Sequence, residues 1–286
     1  MNEALMDRDQ CIVDYINGKS KSIEGWLYPL DMLLWYALDG MQKTSQIVGN
    51  VCEVGVYKGK SLALLGMLTR ESETVFAFDA FPNDWLQQTQ QAMAELCPWA
   101  KRVQYVKGNT ADYTLTLLNE RIQSKVRFLH IDAGHEYHEV LHALYLFAPY
   151  VAADGIIIMD DYQDREFPGV AAATLDFCEQ SRSRPFVPFL SGANKMFLCA
   201  PAMAQRYQHG LIRHPNLLDT MRLSRIRDHV VLISASREPM TSDGIAKLID
   251  SDTVHYLDDG DLAALAELAA QKSQERGRAA AGIMKQ

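Results

Sequence analysis

The chain has 286 residues, of which 48% are hydrophobic and 22% are charged, and its formal net charge is −8. This length and composition allow a full hydrophobic core, so we expect one large α/β domain with an appendage or two modest domains. The negative charge provides no general attraction to phosphate backbones, which excludes nucleic acid as the default partner and favours a small-molecule substrate.

Cysteine usage and the lack of long apolar stretches indicate the compartment. The five cysteines are scattered without a Cys-x-x-Cys pair, and their odd number argues against a disulfide framework. The first ten residues are charged, and no stretch approaches the ~20 uninterrupted apolar residues that a membrane span requires. We therefore expect a cytoplasmic protein with no membrane partner.

The first predicted element lies between residues 23 and 47, where apolar residues at helical spacing predict helices with a broad apolar surface. Two interpretations remain open. The segment is a lid or dimerising element, or it is a helix that simply packs on a sheet. We assign residues 1–48 to an N-terminal helical cover.

From residue 51 onward, short β-branched or aromatic runs alternate with segments long enough for helices. The five runs read VCEVGV, TVFAFDAF, VQYVKG, VRFLHID and GIIIMDD, and they predict five parallel strands. Two further runs, 186–190 and 195–200, are joined by a short polar connection suited to a hairpin. We therefore predict an α/β fold with a doubly wound, seven-stranded, mostly parallel Rossmann-like sheet over residues 49–200.

After residue 200 the pattern weakens. A basic stretch covers residues 213–227, one strand-like run reads HVVLISA, and an Ala/Leu-rich helix is predicted from about residue 261. We assign residues 201–286 to a C-terminal extension that serves packing or oligomerisation. A homo-oligomer, dimeric or higher, is the expected assembly.

The turn after the first predicted strand has the features of a nucleotide site, because its glycines let backbone approach a ligand at a helix N-terminus. A P-loop requires GxxxxGK[ST], and Gly59, Lys60 and Ser61 supply its end, but Gly55 lies one residue too close. A GxGxxG dinucleotide fingerprint is absent. In a third interpretation, an acid at the end of the second strand, Asp79, accepts hydrogen bonds from ribose hydroxyls.

This part of the sequence resembles class I S-adenosylmethionine methyltransferases, through E-V-G-V-Y-K-G-K-S, F-D-A-F and V-K-G-N-T-A-D. The resemblance implies S-adenosyl-L-methionine as cofactor, with Asp79 on the ribose, Phe81 nearby, and Asn109 or Thr110 beside the adenine. An ordinary turn is the alternative for the residues around Asn109. By the same resemblance the first turn binds the methionine end through Glu53, Gly55, Tyr57, Gly59 and Ser61.

An acidic cluster is predicted at the ends of the fourth and fifth strands, where Asp132, Asp160 and Asp161 follow the strand runs. The carboxyl ends of neighbouring parallel strands meet in one crevice, so these side chains should lie close together. Carboxylates packed in this way repel one another unless a cation offsets them, and Mg²⁺ prefers such oxygen ligands. The alternative is that Asp132 caps a helix and the other two residues form a solvated strand end.

The resemblance sharpens here to the macrocin-type family of natural-product O-methyltransferases, through Asp132-x-x-His135, then Asp160-Asp161-Tyr162. It implies that Asp132, Asp160 and Asp161 bind Mg²⁺ or another divalent cation. It also implies that His135 is the general base, with Asp132 beside it in the catalytic and cofactor-binding site. The chain departs from the family pattern at residues 133–134, which read Ala-Gly. A polar contact to the metal site is lost there.

Residues 138–142 match the HExxH motif of zinc peptidases on a predicted helix. At 100° per residue, Glu139 lies opposite the buried stripe, and both histidines of the motif are directed to solvent, away from the crevice. The stripe contains Tyr137, Val140, Leu141, Leu144, Tyr145 and Ala148. We therefore interpret the motif as accidental.

These observations predict a methyltransferase that acts on a hydroxyl of a small molecule, a natural product or its sugar moiety. Three alternatives remain: a catechol-type O-methyltransferase, a non-catalytic S-adenosylmethionine-binding protein, and a P-loop protein. Four aromatic residues are candidates for a substrate wall, although aromatic side chains more often serve plain packing. They are Trp26, Tyr28, Tyr162 and Phe167.

Overall fold

A computed structural model describes residues 8–180, 185–214, 217 and 221–234. Its helices are α1 (Arg8–Ile16), α2 (Pro29–Thr44), α3 (Lys60–Leu68), α4 (Trp85–Leu96), α5 (Leu115–Arg121), α6 (Tyr137–Phe147), α7 (Pro168–Gln180) and α8 (Pro201–Arg213). Its strands are β1 (Asn50–Val54), β2 (Val75–Asp79), β3 (Val103–Lys107), β4 (Val126–Ile131), β5 (Val151–Met159), β6 (Val187–Ser191), β7 (Met196–Cys199), β8 (Met221–Ile226) and β9 (His229–Ser234).

All these strands belong to one sheet with the order β3-β2-β1-β4-β5-β7-β6-β9-β8. The first five strands pair in parallel, and β7 lies antiparallel between β5 and β6. Alternating side chains of β1 enter two separate cores, with Val51 in one and Cys52 in the other. Helices α2 and α3 pack into the first core, and α6 and α7 pack into the second. The predicted doubly wound α/β arrangement is therefore present.

The predicted count of seven strands is wrong, because nine strands are present in the part of the chain that the structure describes. The HVVLISA run forms β9, which pairs in parallel with β6, and β8 closes the sheet edge as a hairpin partner of β9. The sequence of β8, MRLSRI, alternates with basic residues, and Leu223 is 51% exposed. A half-solvated edge strand has a weak hydrophobic pattern, so the sequence of β8 indicates only a basic stretch.

The basic residue at the tip of this hairpin fastens it to the preceding domain. Arg227 lies 3.0 Å from the Asp176 carboxylate and also pairs with Glu179, both on α7. The predicted helix after residue 261 lies outside the described residues. Among the described helices, none combines the length and apolarity needed to cross a bilayer.

Helix α2 packs as a buried layer of the first core rather than as a detached element. Its residues Leu33, Leu34, Trp35 and Leu38 are fully buried. Pro29 at its first position suits the helix start, because proline fixes φ there and its missing N–H is not needed. Of the two interpretations left open by the sequence, α2 therefore fits the helix that packs on the sheet. The segment just before it, residues 24–28, reaches the crevice described below.

The strand order reverses direction beside β1, because the chain runs outward through β2 and β3 and then returns to β4 on the other side of β1. Crevices at the carboxyl ends of strands next to such a reversal are the usual ligand sites of parallel sheets. The ends of β1, β2, β4 and β5 therefore define where the site is expected.

Candidate active site

Two adjoining cavities open at the carboxyl ends of these strands, with volumes of about 600 Å³ and about 810 Å³. Both are lined by Gly55, Asp79, Trp85 and Asp132, so they form one continuous crevice. The first cavity extends over the first turn and the ends of β4 and β5. The second extends over the ends of β2 and β3. An elongated ligand has room to occupy both.

The turn between β1 and α3 is held by a carboxylate from β2. Asp79 Oδ2 accepts hydrogen bonds from the backbone N–H groups of Val56 (2.7 Å) and Tyr57 (3.0 Å). Its other oxygen accepts the N–H of Phe81. Asp79 thus shapes the turn, and because each carboxylate oxygen has about two acceptor positions, Oδ1 retains capacity for a ligand hydroxyl.

Gly55 is required here by the approach of two backbone segments. Its φ is +85°, and a Cβ added to it would lie 1.9 Å from the carbonyl oxygen of Asp132. Sequence reasoning assigned this glycine to close approach of a ligand. The structure instead assigns its lack of a side chain to contact between the ends of β1 and β4.

We expect Gly55→Ala to lower the free energy of unfolding by about 1–3 kcal/mol, because neither the positive φ nor the backbone clash can relax without moving β4. Thermal denaturation measures this loss. Gly40→Ala is the matched control: an added Cβ meets nothing within 4 Å in α2, so this variant should be as stable as the parent or more so. Equal stability of both variants would contradict the assignment.

Three of the predicted first-turn and ribose residues do not line the crevice. Glu53 and Phe81 are fully buried, and Gly59 is the N-cap of α3, with a left-handed backbone conformation. Glu53 Oε1 lies 2.7 Å from Nδ1 of His130, and burial raises the pKa of this carboxyl group. These residues support the wall from behind. By contrast, Tyr57, Ser61, Asn109 and Thr110 do line the crevice.

The predicted acidic residues lie together at the crevice floor, with the predicted base beside them. His135 Nε2 lies 3.0 Å from Asp161 Oδ2, and Asn194 donates a 2.8 Å hydrogen bond to Asp161 Oδ1. The His135 ring stacks on Phe167 with centroids 4.0 Å apart. This histidine is therefore oriented by a carboxylate on one edge and by an aromatic ring on one face.

Charge in this cluster is uneven. Burial and the neighbouring Asp160 raise the pKa of Asp132 well above its usual value. Burial alone would also raise the pKa of Asp160, but the Lys195 ammonium and His130 hold it below its usual value. Lys195 forms a direct ion pair with Asp160 Oδ2. The cation nearest to the predicted metal ligands is therefore a side chain.

Sequence reasoning missed Lys195 and His130 as members of the cluster. Both are buried, and His130 Nε2 lies 3.3 Å from Asp160 Oδ2, an ion-pair contact without hydrogen-bond alignment. Burial alone would lower the pKa of His130, but Asp160 and Glu53 raise it to about 9. The sequence feature that could have indicated them is an ionisable residue in an otherwise apolar strand run. His130 lies in the fourth run, and Lys195 begins the run 195–200.

The donor set fits a divalent cation in one part of the cluster. Ligand atoms of Asp132, His135 and Asp161 lie within 4.8 Å of one another, and a second such group joins Asp132 to His130 and Asp160. Hard cations prefer the carboxylate oxygens that the first group offers. In the second group Asp160 is already paired with Lys195. The predicted three-aspartate set is thus divided between two groups that share Asp132.

The HExxH segment has a structural role and also borders the crevice. Glu136 is the N-cap of α6, and its backbone N–H donates to Glu139 Oε2 at 3.3 Å. A helix-capping role for Asp132 is therefore not what the structure has. His138 and His142 are exposed, as expected, but they also line the second cavity, so their predicted direction away from the crevice is wrong. They form no three-ligand group among the described residues.

The buried stripe predicted for α6 is wrong at its two tyrosines. Tyr137 and Tyr145 are 37% and 44% exposed, whereas Val140 and Leu144 are buried as expected. The tyrosine rings lie at the edge of the stripe, where Tyr137 donates a hydrogen bond to Asp176 and Tyr145 packs on Phe177. Tyrosine rings can cover a core edge while their outer parts remain in water.

The mouth of the first cavity is formed by the segment before α2. Trp26 is 82% exposed and stacks on Tyr57 with centroids 6.1 Å apart, and Tyr28 is 52% exposed. Glu24 pairs with Lys58 and with the Tyr57 hydroxyl, which holds the segment over the first turn. Of the predicted aromatic wall, Trp26, Tyr28 and Phe167 line the cavity. Tyr162 packs against the second core instead.

The chain is similar to a curated protein, the uncharacterized protein R132 of Acanthamoeba polyphaga mimivirus. It is 24% identical over 139 residues, which cover 48% of this chain and 62% of the relative. The match therefore spans less than two thirds of the relative's length.

Several solved structures are similar at low identity. CalS11, a TDP-rhamnose 3'-O-methyltransferase of calicheamicin biosynthesis, is 15% identical with a TM-score of 0.48, covering 70% of this chain and 95% of its own. Cofactor-bound Rv0187 from MTB is 14% identical with a TM-score of 0.49, covering 70% and 92%. An O-methyltransferase from Bacillus cereus in complex with SAH is 14% identical with a TM-score of 0.47, covering 68% and 92%.

The informative match is to a family model. Residues 52–162, which contain most of β1, all of β2 to β5 and every predicted site residue, match the model described as a methyltransferase domain. This match shows that residues 52–162 are similar to a methyltransferase domain.

Proposed function

We propose that the enzyme is an S-adenosylmethionine-dependent, divalent-metal-assisted O-methyltransferase that acts on a hydroxyl of a small molecule, a natural product or its sugar moiety. The observation that carries the proposal is the crevice itself. It places the Asp79 carboxylate, suited to ribose hydroxyls, next to a histidine–carboxylate pair suited to removing a hydroxyl proton.

When bound, S-adenosylmethionine would supply a methyl group on a sulfonium sulfur, and a divalent cation, which Asp132 and Asp161 would hold, would polarise the acceptor oxygen. The chain's own residues position and deprotonate the acceptor. Because Nε2 faces Asp161 at 3.0 Å, His135 Nδ1 is the ring atom left to accept the hydroxyl proton. The resulting imidazolium is stabilised by Asp161, and Phe167 keeps the ring plane fixed.

Positioning accounts for most of the expected rate enhancement. Two well-oriented reactants recover about 7–11 kcal/mol of barrier, more than a general base supplies. Tyr57 and Ser61 would hold the methionine end of the cofactor, and Asn109 or Thr110 would border its adenine. Trp26 and Tyr28, at the mouth of the first cavity, would contact an acceptor whose hydroxyl reaches His135.

Calorimetric titration of S-adenosylmethionine tests the cofactor assignment. We expect binding to the parent protein, and a loss of about 10- to 100-fold in affinity for Asp79→Asn, because a charge-assisted hydrogen bond to ribose is worth about 1.5–3 kcal/mol. Asp84→Asn, the same charge change at an exposed helix N-cap, is the matched control. A parent protein that binds ATP or zinc but not S-adenosylmethionine would refute the proposal.

Acceptor profiling tests the substrate class. A panel of glycosylated natural products and catechols, assayed with and without EDTA, distinguishes the proposed activity from a catechol-type enzyme. Activity on catechols alone would favour that alternative. Methyl transfer unaffected by EDTA would exclude the metal, and cofactor binding without transfer to any acceptor would indicate a non-catalytic protein.

Trp26→Ala should raise KM for the acceptor about 3- to 10-fold with little change in S-adenosylmethionine affinity, because aromatic contacts are worth about 0.5–1.5 kcal/mol beyond area burial. Val48→Ala, which removes a 71% exposed side chain just before β1, is the control. An unchanged KM, or an equal loss of cofactor affinity, would show that Trp26 does not contact the acceptor.

A further inference from the structure

Lys195 immediately precedes β7, and its side chain projects into the acidic cluster at the crevice floor. The residue is 1% exposed, although its ammonium group belongs to the residue types that are almost never buried without a partner. That partner is Asp160, with which it forms a direct ion pair through Oδ2.

The Lys195 side chain lines the same cavity as Asp132 and Asp160. The connection just before it is held by Asp31 of α2, which is fully buried and accepts a 3.0 Å hydrogen bond from the N–H of Ala193. Lys195 thus supplies a positive charge within the cluster that the sequence assigned to a metal ion.

Both oxygens of Asp160 are engaged without a metal. Oδ1 accepts a 2.8 Å hydrogen bond from the backbone N–H of Asp161, and Oδ2 contacts Lys195 and, at 3.3 Å, His130. The Asp132 carboxylate, in contrast, accepts no hydrogen bond from the residues that the structure describes. Asp161 accepts a hydrogen bond from Asn194 through Oδ1 and contacts His135 through Oδ2, but neither oxygen is paired with a lysine or arginine. Among the described residues, the carboxylates of the cluster without such a counter-ion are therefore Asp132 and Asp161.

We infer that Lys195 is the permanent counter-ion of Asp160, so that a divalent cation at this site binds through Asp132 and Asp161 without Asp160. The inference rests on the proposed function only in expecting such a cation. It makes Lys195 a charge-compensating and positioning residue, because its ammonium holds Asp160, and with it the Asp161 backbone, in place.

Mn²⁺ titration of the full chain, followed by the electron paramagnetic resonance signal of free Mn²⁺, tests the inference without any assay of methyl transfer. Lys195→Met should tighten Mn²⁺ binding by about tenfold or more, because an opposing charge leaves and Asp160 becomes available. Asp161→Asn should weaken binding by about tenfold or more. The paired change Asp160→Asn with Lys195→Met keeps the net charge constant and should leave affinity within about threefold of the parent.

Two results would overturn the inference: a paired variant that loses as much Mn²⁺ affinity as Asp161→Asn, or a Lys195→Met protein that binds Mn²⁺ no better than the parent. If Lys195→Met fails to fold, the comparison of the paired variant with Asp161→Asn still decides. A parent that binds no Mn²⁺ would also overturn the inference, because Asp132 and Asp161 are expected to hold the cation while Lys195 remains paired with Asp160. A parallel S-adenosylmethionine titration separates these outcomes from failure of the proposed function.

Discussion

His135→Gln is expected to lower kcat for methyl transfer by about 10²- to 10⁴-fold, the usual contribution of a positioned general base. Glutamine preserves much of the side-chain size but cannot accept the acceptor's proton. S-adenosylmethionine affinity should change little, because the histidine lies at the ends of β4 and β5 and not on the first turn. The measurement is steady-state kinetics with an acceptor identified by profiling, together with calorimetric titration of the cofactor.

The companion variants define the role of the imidazole. Asp161→Asn keeps the base but removes the carboxylate 3.0 Å from its Nε2, so it should lower kcat as well. His209→Gln on α8, outside both cavities, should leave kcat unchanged. If His135→Gln retained full kcat while His138→Gln lost it, the HExxH histidine at the edge of the second cavity would be the functional one.

Local patterns predicted the strands that carry the site. The runs that form β1 to β5 are apolar and β-branched because these strands are buried on both faces, and such runs are recognisable without tertiary information. The edge strand β8 was missed because half of its residues face water. The number of strands therefore exceeded the prediction at the edge of the sheet, where hydrophobic patterning is weakest.

The residues of the site also differ in how well the sequence predicts their positions. Asp79, Asp132 and Asp161 could be placed because they follow strand runs directly and parallel strand ends meet in one crevice. Lys195 and Asp31 could not be placed in this way. They reach the same cluster from a hairpin and from α2, and their separation along the chain gives no indication that they meet. The divalent cation stays a prediction, whereas the ammonium group that pairs with Asp160 could not be predicted without the fold.

The partners of Arg127 also could not be predicted, because they are distant along the chain. The sequence predicts only that this residue lies in the strand β4. It is fully buried, and its guanidinium donates to Asp39 Oδ1 (2.7 Å) on α2, to both Glu73 oxygens (2.8 and 2.9 Å) and to Gln42 Oε1 (2.8 Å). A fifth contact, 3.0 Å long, is to the backbone carbonyl of Leu68 at the end of α3. The Arg127 side chain thus joins α2, α3 and β4 near the amino end of β4, whereas the crevice lies at the carboxyl ends of the strands.

Arg127→Met should lower the free energy of unfolding by about 3–5 kcal/mol, because it leaves two buried carboxylates without their main partner. Arg102→Met, at an exposed position, should change it by less than about 0.5 kcal/mol. The triple change Arg127→Met, Asp39→Asn, Glu73→Gln should recover part of the loss, since a buried ion pair contributes little net stability once all its charges are removed. Denaturant unfolding compares the three proteins. A triple variant less stable than Arg127→Met would mean that Asp39 and Glu73 stabilise the fold independently of the guanidinium.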